Sequence, residues 1–283
     1  MLPRRAATQK MAEPQACSWA LCPSKDSGEN RELLRCGTCK TAKYCCKSCQ
    51  KSHWKWHKYT CVGPEIERHK VEEFTCAAIQ RAIDAAQPND VVELNVGTYE
   101  AGGVGELVIS KPMKILGPGR VGLDGVILKC NLVVKGITEN GDVVLANFKV
   151  SGTARLKENS DTNITMYSVA VECARELAER GIDAMDICSC QGKVLLLDCE
   201  ILGGSDTLCI SGAPKVHIKG TEIRFARSRG IFANDYFVIE DSVVDMCGGY
   251  GIKGRSGWDE KGDNDIQPGP WSSFGGAAGD YGY

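Results

Sequence analysis

The chain has 283 residues, enough for one large domain or two modest ones. The chain contains 34 Lys/Arg and 36 Asp/Glu, a net charge of −2. Residues 1–64 hold twelve Lys/Arg and four Asp/Glu, whereas residues 65–283 hold 22 Lys/Arg and 32 Asp/Glu. The nearly neutral total therefore conceals a basic part and an acidic part. No apolar run approaches the roughly 18 residues of a membrane-spanning helix, and the start lacks the apolar core of a secretory signal. We therefore expect two domains, no membrane partner and an intracellular location, in the cytoplasm or the nucleus.

The basic part contains a dense set of candidate metal ligands. They fall into four pairs: Cys17 and Cys22, Cys36 and Cys39, Cys45 and Cys49, and His57 and Cys61. Zinc prefers four thiolate or imidazole ligands in a tetrahedron, so eight candidates fill two sites with none left over. The pattern predicts two structural Zn²⁺ ions in a reducing compartment, where such cysteines do not form disulfides.

The last ligand pair indicates a helix. His57 and Cys61 are spaced i, i+4, which places both on one face of a helix from about Ser48 to Tyr59. So small a segment cannot bury enough apolar surface to fold alone. Metal binding, worth on the order of 10–16 kcal/mol, would supply its folding free energy.

The order C-x4-C, C-x2-C, C-x5-C-x3-C and H-x3-C, with "YC", "CQK" and "W-x-x-HK", resembles a MYND-type zinc finger over residues 17–61. In that family the two sites interleave. The resemblance implies one zinc on Cys17, Cys22, Cys45 and Cys49 and the other on Cys36, Cys39, His57 and Cys61. It also implies a protein partner, a short proline-containing peptide, because Gln50 and Trp54 occupy the positions that line the family's groove.

Two further residues of this segment can bind zinc. Cys46 lies beside Cys45, but the family's spacing to Cys49 selects Cys45, so we interpret Cys46 as a free thiol. His53 lies on the same helical stripe as the ligands Cys49 and His57. The family usually has an acidic residue at this position, which favours a surface imidazole.

Six lysines lie among the aromatic residues of this segment. They are Lys40, Lys43, Lys47, Lys51, Lys55 and Lys58. Lysines and aromatic rings together can bind nucleic acid, since phosphates attract Lys and bases stack on rings. Here no arginine fork is present to recognise a base edge. The pattern therefore favours a solvated face or an acidic protein partner over nucleic acid.

The acidic part begins with a helix and continues as strands. Apolar residues recur at helical spacing over residues 74–87, and Asn89-Asp90 supply a stop signal. Beyond them Gly, Val and Ile dominate and turn residues recur every few positions, which is typical of short strands.

These strands repeat. The segments 194–201, 216–223 and 237–244 share one apolar pattern at offsets of 22 and 21 residues, and 143–150 fits at an offset of 51. A second stack of Cys209, Ile231 and Ile252 keeps the same offsets. A period near 22 with apolar positions in register is typical of a solenoid. We predict a right-handed parallel β-helix whose column contains Val194, Val216 and Phe237 and whose open N-terminal end is capped by the predicted helix.

The segment from "IQRAIDAAQ" to "KILGPGR" resembles the opening of pectin-lyase-like β-helices, and the likeness extends to about residue 255. Polysaccharide-cleaving members carry clustered carboxylates, because proton transfer to and from a sugar needs two groups within reach. Here the columns align only Glu200 with Glu222. The neighbouring charged residues are Asp206, Arg224, Arg227 and Arg229. This set is thin, so we expect no catalytic residues and no enzymatic activity.

Two segments complete the predicted organisation. Residues 158–181 carry an insertion with one or two helical turns before Gly181, either a binding loop or a spacer. The Gly-rich tail should be disordered. The predicted parts are a flexible N-terminus 1–16, the finger 17–61, a linker 62–73, the β-helix with its capping helix 74–255, and a disordered tail 256–283.

The whole pattern predicts a small zinc-stabilised α/β finger followed by an all-β parallel solenoid. The function that follows is a protein-interaction adaptor. Its finger docks a peptide, and its β-helix presents a second surface for protein or carbohydrate. The alternative is a carbohydrate-active lyase or hydrolase with an accessory zinc finger.

Overall fold

The computed structural model describes four stretches of the chain, namely residues 17–18, 22, 33–118 and 125–267. The chain divides into two compact units, Met1–Glu65 and Ile66–Tyr283. The expected flexible N-terminus, residues 1–16, and residues 268–283 of the expected tail lie outside the described residues. None of the helices among the described residues combines the length and the apolar composition that crossing a bilayer requires.

The described residues of the first unit form two short strands and one helix, β1 (Leu34–Arg35), β2 (Lys43–Tyr44) and α1 (Lys47–Thr60). The strands form an antiparallel hairpin. Helix α1 extends one residue beyond its predicted bounds at each end. It begins after Cys46, whose backbone is extended and whose sulfur accepts a hydrogen bond from the backbone N–H of Cys49. This is the geometry of an N-cap.

The second unit is a parallel β-solenoid, with two helices in the part of it that the structure describes. Its elements in chain order are β3 (Arg68–Val71), α2 (Cys76–Ala85), β4 (Val91–Leu94), β5 (Gly97–Tyr99), β6 (Glu106–Ile109), β7 (Met113–Leu116), β8 (Val126–Leu128), β9 (Asn131–Lys135), β10 (Asp142–Ser151), β11 (Ala154–Asn159), β12 (Asn163–Glu172), α3 (Arg175–Glu179), β13 (Met185–Cys190), β14 (Val194–Leu197), β15 (Glu200–Leu202), β16 (Leu208–Ser211), β17 (Val216–Lys219), β18 (Glu222–Arg224), β19 (Ile231–Ala233), β20 (Phe237–Glu240), β21 (Val243–Asp245), β22 (Ile252–Gly254), β23 (Trp258–Lys261) and β24 (Asp265–Ile266). One face pairs nine strands in a continuous path from β3 to β23, and a second pairs seven from β6 to β22. The solenoid has about nine turns. The predicted fold class is confirmed.

The apolar columns follow the predicted period. Val194 pairs with Val216, and Val216 pairs with Phe237, so the predicted column is confirmed. Upstream, Val143 pairs with Ile164 and Ile164 with Val194, which accounts for the offset of 51 as two coils. These side chains are almost fully buried. Each coil therefore buries its apolar face only by stacking on its neighbours.

The second predicted column is wrong by one residue at its start. Ile231 pairs with Ile252 as expected, but it pairs with Leu208 on the other side. Cys209 instead pairs with Phe232 and is only half-buried. The reason is that this coil is 23 residues long, so a constant offset of 22 selects the neighbour that points outwards.

Helix α2 covers the N-terminal end of the solenoid, as predicted. Thr75 caps it through a hydrogen bond from the N–H of Ala78 to Oγ1, 3.1 Å. The Gln80 side chain accepts a hydrogen bond from the N–H of Val108 (2.8 Å) and donates one to its C=O (3.1 Å). Val108 lies on β6, the terminal strand of its sheet, so the helix satisfies a free strand edge.

Both ends of the solenoid include residues for which the sequence predicted no part in it, namely the linker at one end and the disordered tail at the other. Strand β3 falls within the expected linker and pairs with β4, although Val71 is its only buried residue. Strands β23 and β24 fall within the expected disordered tail. Trp258 pairs with Phe237, with the two rings stacked at 6.2 Å, and Ile266 pairs with Val244. These apolar residues continue the columns, so the stack reaches at least β24.

The insertion is shorter than the sequence indicated. Residues 163–172 form β12, which pairs with β10 on one side and with β14 and β15 on the other. The excursion begins only at Cys173 and contains α3, the predicted helical turns. Gly181, with φ of 76°, follows the helix end.

Replacing Phe237 by Ala should lower the free energy of unfolding of the solenoid by about 3–5 kcal/mol, because the buried ring leaves a cavity. Phe225→Ala is the matched control. That ring is 54% exposed, and its loss should cost under about 1 kcal/mol. Urea titration followed by far-UV circular dichroism measures both values. Equal losses would contradict the assignment of Phe237 to the core.

Candidate metal centre and its exposed helix face

The first ligand set joins the start of the finger segment to the start of helix α1. Its members are Cys17, Cys22, Cys45 and Cys49, whose sulfur atoms all lie within 4.8 Å of one another. The Sγ atoms of Cys22 and Cys45 are 3.5 Å apart, those of Cys45 and Cys49 are 3.3 Å apart, and those of Cys22 and Cys49 are 3.7 Å apart. Sulfurs around tetrahedral zinc, with bonds of about 2.3 Å, lie about 3.8 Å apart. The set fits one Zn²⁺ ion.

The second set is buried on all sides. It contains Cys36, Cys39, His57 and Cys61, with the four ligand atoms again within 4.8 Å of one another. The Sγ atoms of Cys36 and Cys61 are 3.8 Å apart, and Nε2 of His57 lies 3.4 Å from Sγ of Cys39. Three thiolates and one imidazole are a usual structural zinc set. The two sets are therefore compatible with two zinc ions, as predicted.

Local backbone geometry shapes the Cys36–Cys39 knuckle. Its turn is closed by a hydrogen bond from the N–H of Lys40 to the C=O of Cys36, 3.1 Å, with Lys40 at φ of 58°. The N–H of Ala42 points to Sγ of Cys39 at 3.5 Å. Such N–H groups stabilise a thiolate, which is the form that binds zinc.

Helix α1 connects the two sets. Cys49 lies near its start and His57 near its end, and both are buried, while Cys61 is the residue that follows the helix. One ion thus fixes each end of α1. The sites interleave along the chain. Each site takes one ligand pair from the segment before the helix and a second pair from the helix itself and the residues beside it.

The electrostatics of the second set favour metal binding. Burial, followed by the charge of His53, lowers the pKa of His57 to about 4, so this imidazole is neutral and can donate a lone pair. Burial, followed by the neighbouring Cys39, raises the pKa of Cys61 to about 12. Packing several thiolates together without a cation is therefore unfavourable, and a divalent ion reverses this penalty.

The two additional candidates lie outside both sets. Nδ1 of His53 is 3.1 Å from the hydroxyl of buried Tyr44, and its ring stacks on His57 at 5.3 Å. Cys46 is exposed and, as its geometry shows, caps α1. Sequence reasoning missed this role, although the position one residue before the helix was the available signal.

Gln50 and Trp54 lie one turn apart on α1. Gln50 is half-buried, and Trp54 is 43% exposed with its ring edge against His57, the centroids 5.8 Å apart. Contact with a zinc-bound imidazole would fix the orientation of this ring. Peptide binding at these two residues stays a prediction.

On the solenoid, two of the predicted carboxylates, Glu222 and Asp206, form local ion pairs. Glu200 and Glu222 are neighbours in register, as expected. Glu222 pairs with Arg224 at 3.1 Å. Asp206 is only 4% exposed and holds the Arg229 guanidinium through two hydrogen bonds of 2.9 and 2.5 Å. The charged residues therefore separate into pairs, one of them buried.

A different pair of carboxyl groups was missed from the sequence. Burial raises the pKa of Asp183 and of Asp186 above the ordinary range for a carboxyl group. On its two neighbouring strands Asp186 pairs with Arg155 and with Cys209. These residues meet only when coils stack, so no local pattern could have indicated them.

A cavity of about 530 Å³ lies beside α3. It is lined by Glu172, Cys173, Arg175, Ala178, Glu179, Leu202, Gly203, Gly204, Phe225 and Arg227. Arg227 donates a hydrogen bond to the C=O of Glu179, 3.1 Å. Phe225 is exposed and has φ of 64°, which is uncommon for a bulky residue. The cavity is of the size that small ligands or a side chain of a partner fill.

A third group of possible ligands lies near the start of the solenoid. Glu67, His69 and Asp90 place their ligand atoms within 4.8 Å of one another. Nε2 of His69 is 3.0 Å from Oδ2 of Asp90, and this hydrogen bond lowers the pKa of Asp90. The same oxygen accepts the N–H of Gln87 at 2.7 Å. This arrangement is explained by hydrogen bonds of the Asp90 carboxylate that close a turn.

Comparison with known proteins identifies the finger. The family model of the MYND finger matches residues 17–61, so this segment is a zinc-binding MYND finger, a domain that mediates protein–protein interactions. Egl nine homolog 1 of Mus musculus is 49% identical over 41 residues, which are 14% of this chain and 10% of that protein. The Homo sapiens protein of the same name is 47% identical over 38 residues, 13% and 9% respectively. The matches thus span about a tenth of the length of these curated relatives.

The solenoid resembles one solved structure weakly. This structure is the A-module of mannuronan C-5 epimerase AlgE4 of Azotobacter vinelandii, with a TM-score of 0.28 and 13% identity over 74% of this chain and 100% of that one. The expectation that the chain is not an enzyme is corrected, because the matched structure is that of an epimerase. At this TM-score the match supplies neither a reaction nor residue roles for this chain.

Metal analysis of the purified protein should give two zinc ions per chain. Cys39→Ser should remove the second site and destabilise the finger, with a zinc content of one at most, because a hydroxyl is a poor zinc ligand. Cys46→Ser is the matched control and should retain two, since serine also caps helices. A wild-type content of one or none would contradict the two-site assignment.

Proposed function

We propose that this protein is a zinc-dependent adaptor whose MYND finger docks a short proline-containing peptide across Gln50 and Trp54. The observation that carries the proposal is the exposure of Trp54 on a helix whose two ends are held by the metal sets. An aromatic ring that is 43% exposed yet rests against buried His57 offers a fixed apolar wall. Such an adaptor would act inside the cell, in the cytoplasm or the nucleus.

Proline-containing peptides suit a wall of this kind. A polyproline II segment is already extended and has lost much of its conformational freedom, so it binds at a small entropic cost. Aromatic-lined grooves recognise such segments by packing rings against proline. The Gln50 amide, one turn away, can both donate to and accept from the peptide backbone, which has no internal hydrogen bonds in this conformation.

Trp54→Ala should weaken binding of a proline-containing peptide by about thirtyfold or more, because an aromatic anchor at the centre of an interface contributes at least about 2 kcal/mol. The zinc content should stay at two, since Trp54 belongs to neither ligand set. Trp56→Phe, on the opposite face of α1, is the control and should bind normally. Fluorescence anisotropy with labelled peptides measures the affinities. Equal binding by wild type and Trp54→Ala would exclude this site.

The solenoid would supply the second surface of the adaptor, for a protein or a carbohydrate. Its stacked coils are rigid and satisfy their own backbone groups, which leaves outward-facing side chains for recognition. The cavity beside α3, with exposed Phe225 at its margin, supports this part of the proposal.

One observation favours the alternative, a carbohydrate-active lyase or hydrolase with an accessory finger. Asp183 and Asp186 are half-buried carboxyl groups whose pKa values are raised by burial, as proton-transferring groups in enzymes often are. Assays on a panel of polysaccharides, with and without calcium, test this alternative. Turnover that is lost in Asp186→Asn but kept in the ion-paired Glu222→Gln would establish it. Absence of turnover on every polymer would contradict this alternative.

A further inference from the structure

The outer face of α1 is uniformly basic. It bears four exposed lysines, Lys47, Lys51, Lys55 and Lys58. The whole finger, residues 17–61, contains nine Lys/Arg and three Asp/Glu, a charge of +6 before its thiolates and metals are counted. Two Zn²⁺ ions held by seven thiolates would leave a formal charge of −3 inside the finger, which is less than the positive charge around it. The finger therefore stays cationic with both metals bound.

This basic face reduces the stability of the helix. Lys47 lies in the first turn, where the helix dipole favours an anion, and Lys47, Lys51 and Lys55 form two like-charge i, i+4 pairs. Among the residues that the structure describes, no ion pair involves a lysine of α1. Lys58 lies over the ring of Tyr59, 4.7 Å from its centroid. A sequence departs from these charge preferences of helices mainly where the surface concerned has a function.

The basic face adjoins the proposed peptide site. With about 100° of rotation per residue, Lys47 points about 20° and Lys58 about 40° away from the direction of Trp54. Lys55 points about 100° away from Trp54. Gln50 lies about 40° from Trp54 on the other side. A peptide that runs along this stripe of α1 over Trp54 therefore passes Lys47 and Lys58, whereas Lys55 lies to one side of its path.

We propose that the peptide bound by this finger carries Asp or Glu residues beside its proline, and that Lys47 and Lys58 select for them. This inference rests on the proposed peptide-binding function and adds the chemical class of the ligand. The carboxylates supply the countercharge that α1 lacks in its own sequence. Exposed ion pairs add little energy each, but several at one site steer association and discriminate against neutral peptides.

The same face fits nucleic acid poorly. Base edges are recognised mainly by the fork of an arginine side chain, and every cation on α1 is a lysine. Single strands bind by stacking successive bases on several rings. Among the described residues of the finger, Trp54 is the one exposed aromatic side chain. One ring suits one apolar peptide residue better than a strand of bases.

The test uses the full-length, zinc-loaded protein and an array of proline-containing dodecamers. Each peptide is made in two isosteric forms, one with Asp and Glu around the proline and one with Asn and Gln. Acid-flanked members should bind about tenfold more tightly at low salt, and the advantage should shrink as salt rises. Lys47→Gln and Lys58→Gln should each reduce that advantage about two- to fivefold. Lys55→Gln is the matched control, with the same loss of charge, and should change it little.

The outcomes separate this inference from the function on which it rests. If the two forms bind equally and Trp54→Ala abolishes both, the peptide site stands and the acidic preference is overturned. If Lys55→Gln weakens binding as much as Lys47→Gln, the lysines act only through net charge, and local selection is overturned. If no array member binds, the proposed function fails with it. Tighter binding of a single-stranded oligonucleotide than of any acid-flanked peptide would assign the face to nucleic acid instead.

Discussion

The attraction between clustered thiolates and a divalent cation is the interaction on which the finger depends. Helix α1 has 14 residues, no acidic residue in its first turn and a row of lysines, so it would be marginal as an isolated helix. The two ligand sets fix it at both ends, through Cys49 near its start and His57 near its end. The exposed position of Trp54 is a consequence of this attachment, because the ligands Cys49 and His57 turn an adjoining stripe of the helix inwards while the Trp54 ring rests against His57. The ligand sets inside the finger thus determine which side chains of α1 face the solvent.

The solenoid depends on a different constraint, since no single coil can bury its own apolar side. Stacking in register solves this problem for every interior coil but leaves the two terminal coils with one uncovered face. At the N-terminal end, α2 covers the core and Gln80 pairs with the edge of β6. At the other end, the ring of Trp258 stacks on Phe237. The N-terminal end is thus closed by a helix outside the repeat, whereas the last described coil continues the apolar column.

Much of this organisation could be predicted because its causes are local or periodic. The spacing of the ligand pairs specified the eight ligands and the bounds of α1 to within one residue, and the resemblance to the MYND finger implied how the ligands divide into two sets. The repeat specified one column but misplaced Cys209, because the length of a coil can change by one residue without disturbing the stack. Strand β3 was missed because only Val71 in it is buried, so it has no apolar pattern. The neighbours of Asp186 lie in other coils, and no inspection of its own segment could reveal them.

The excursion at α3 shows how freely this scaffold accepts added chain. From Ile164 to Val194 the chain uses 30 residues for one coil, whereas it uses 22 from Val194 to Val216, yet the strands pair in register on both sides. The core therefore constrains the strands but not the length of this corner. Insertions and deletions at the corner should be nearly neutral for folding during evolution. Related chains could vary the surface around the cavity while keeping the same apolar columns, and an engineered loop could be introduced at the same place.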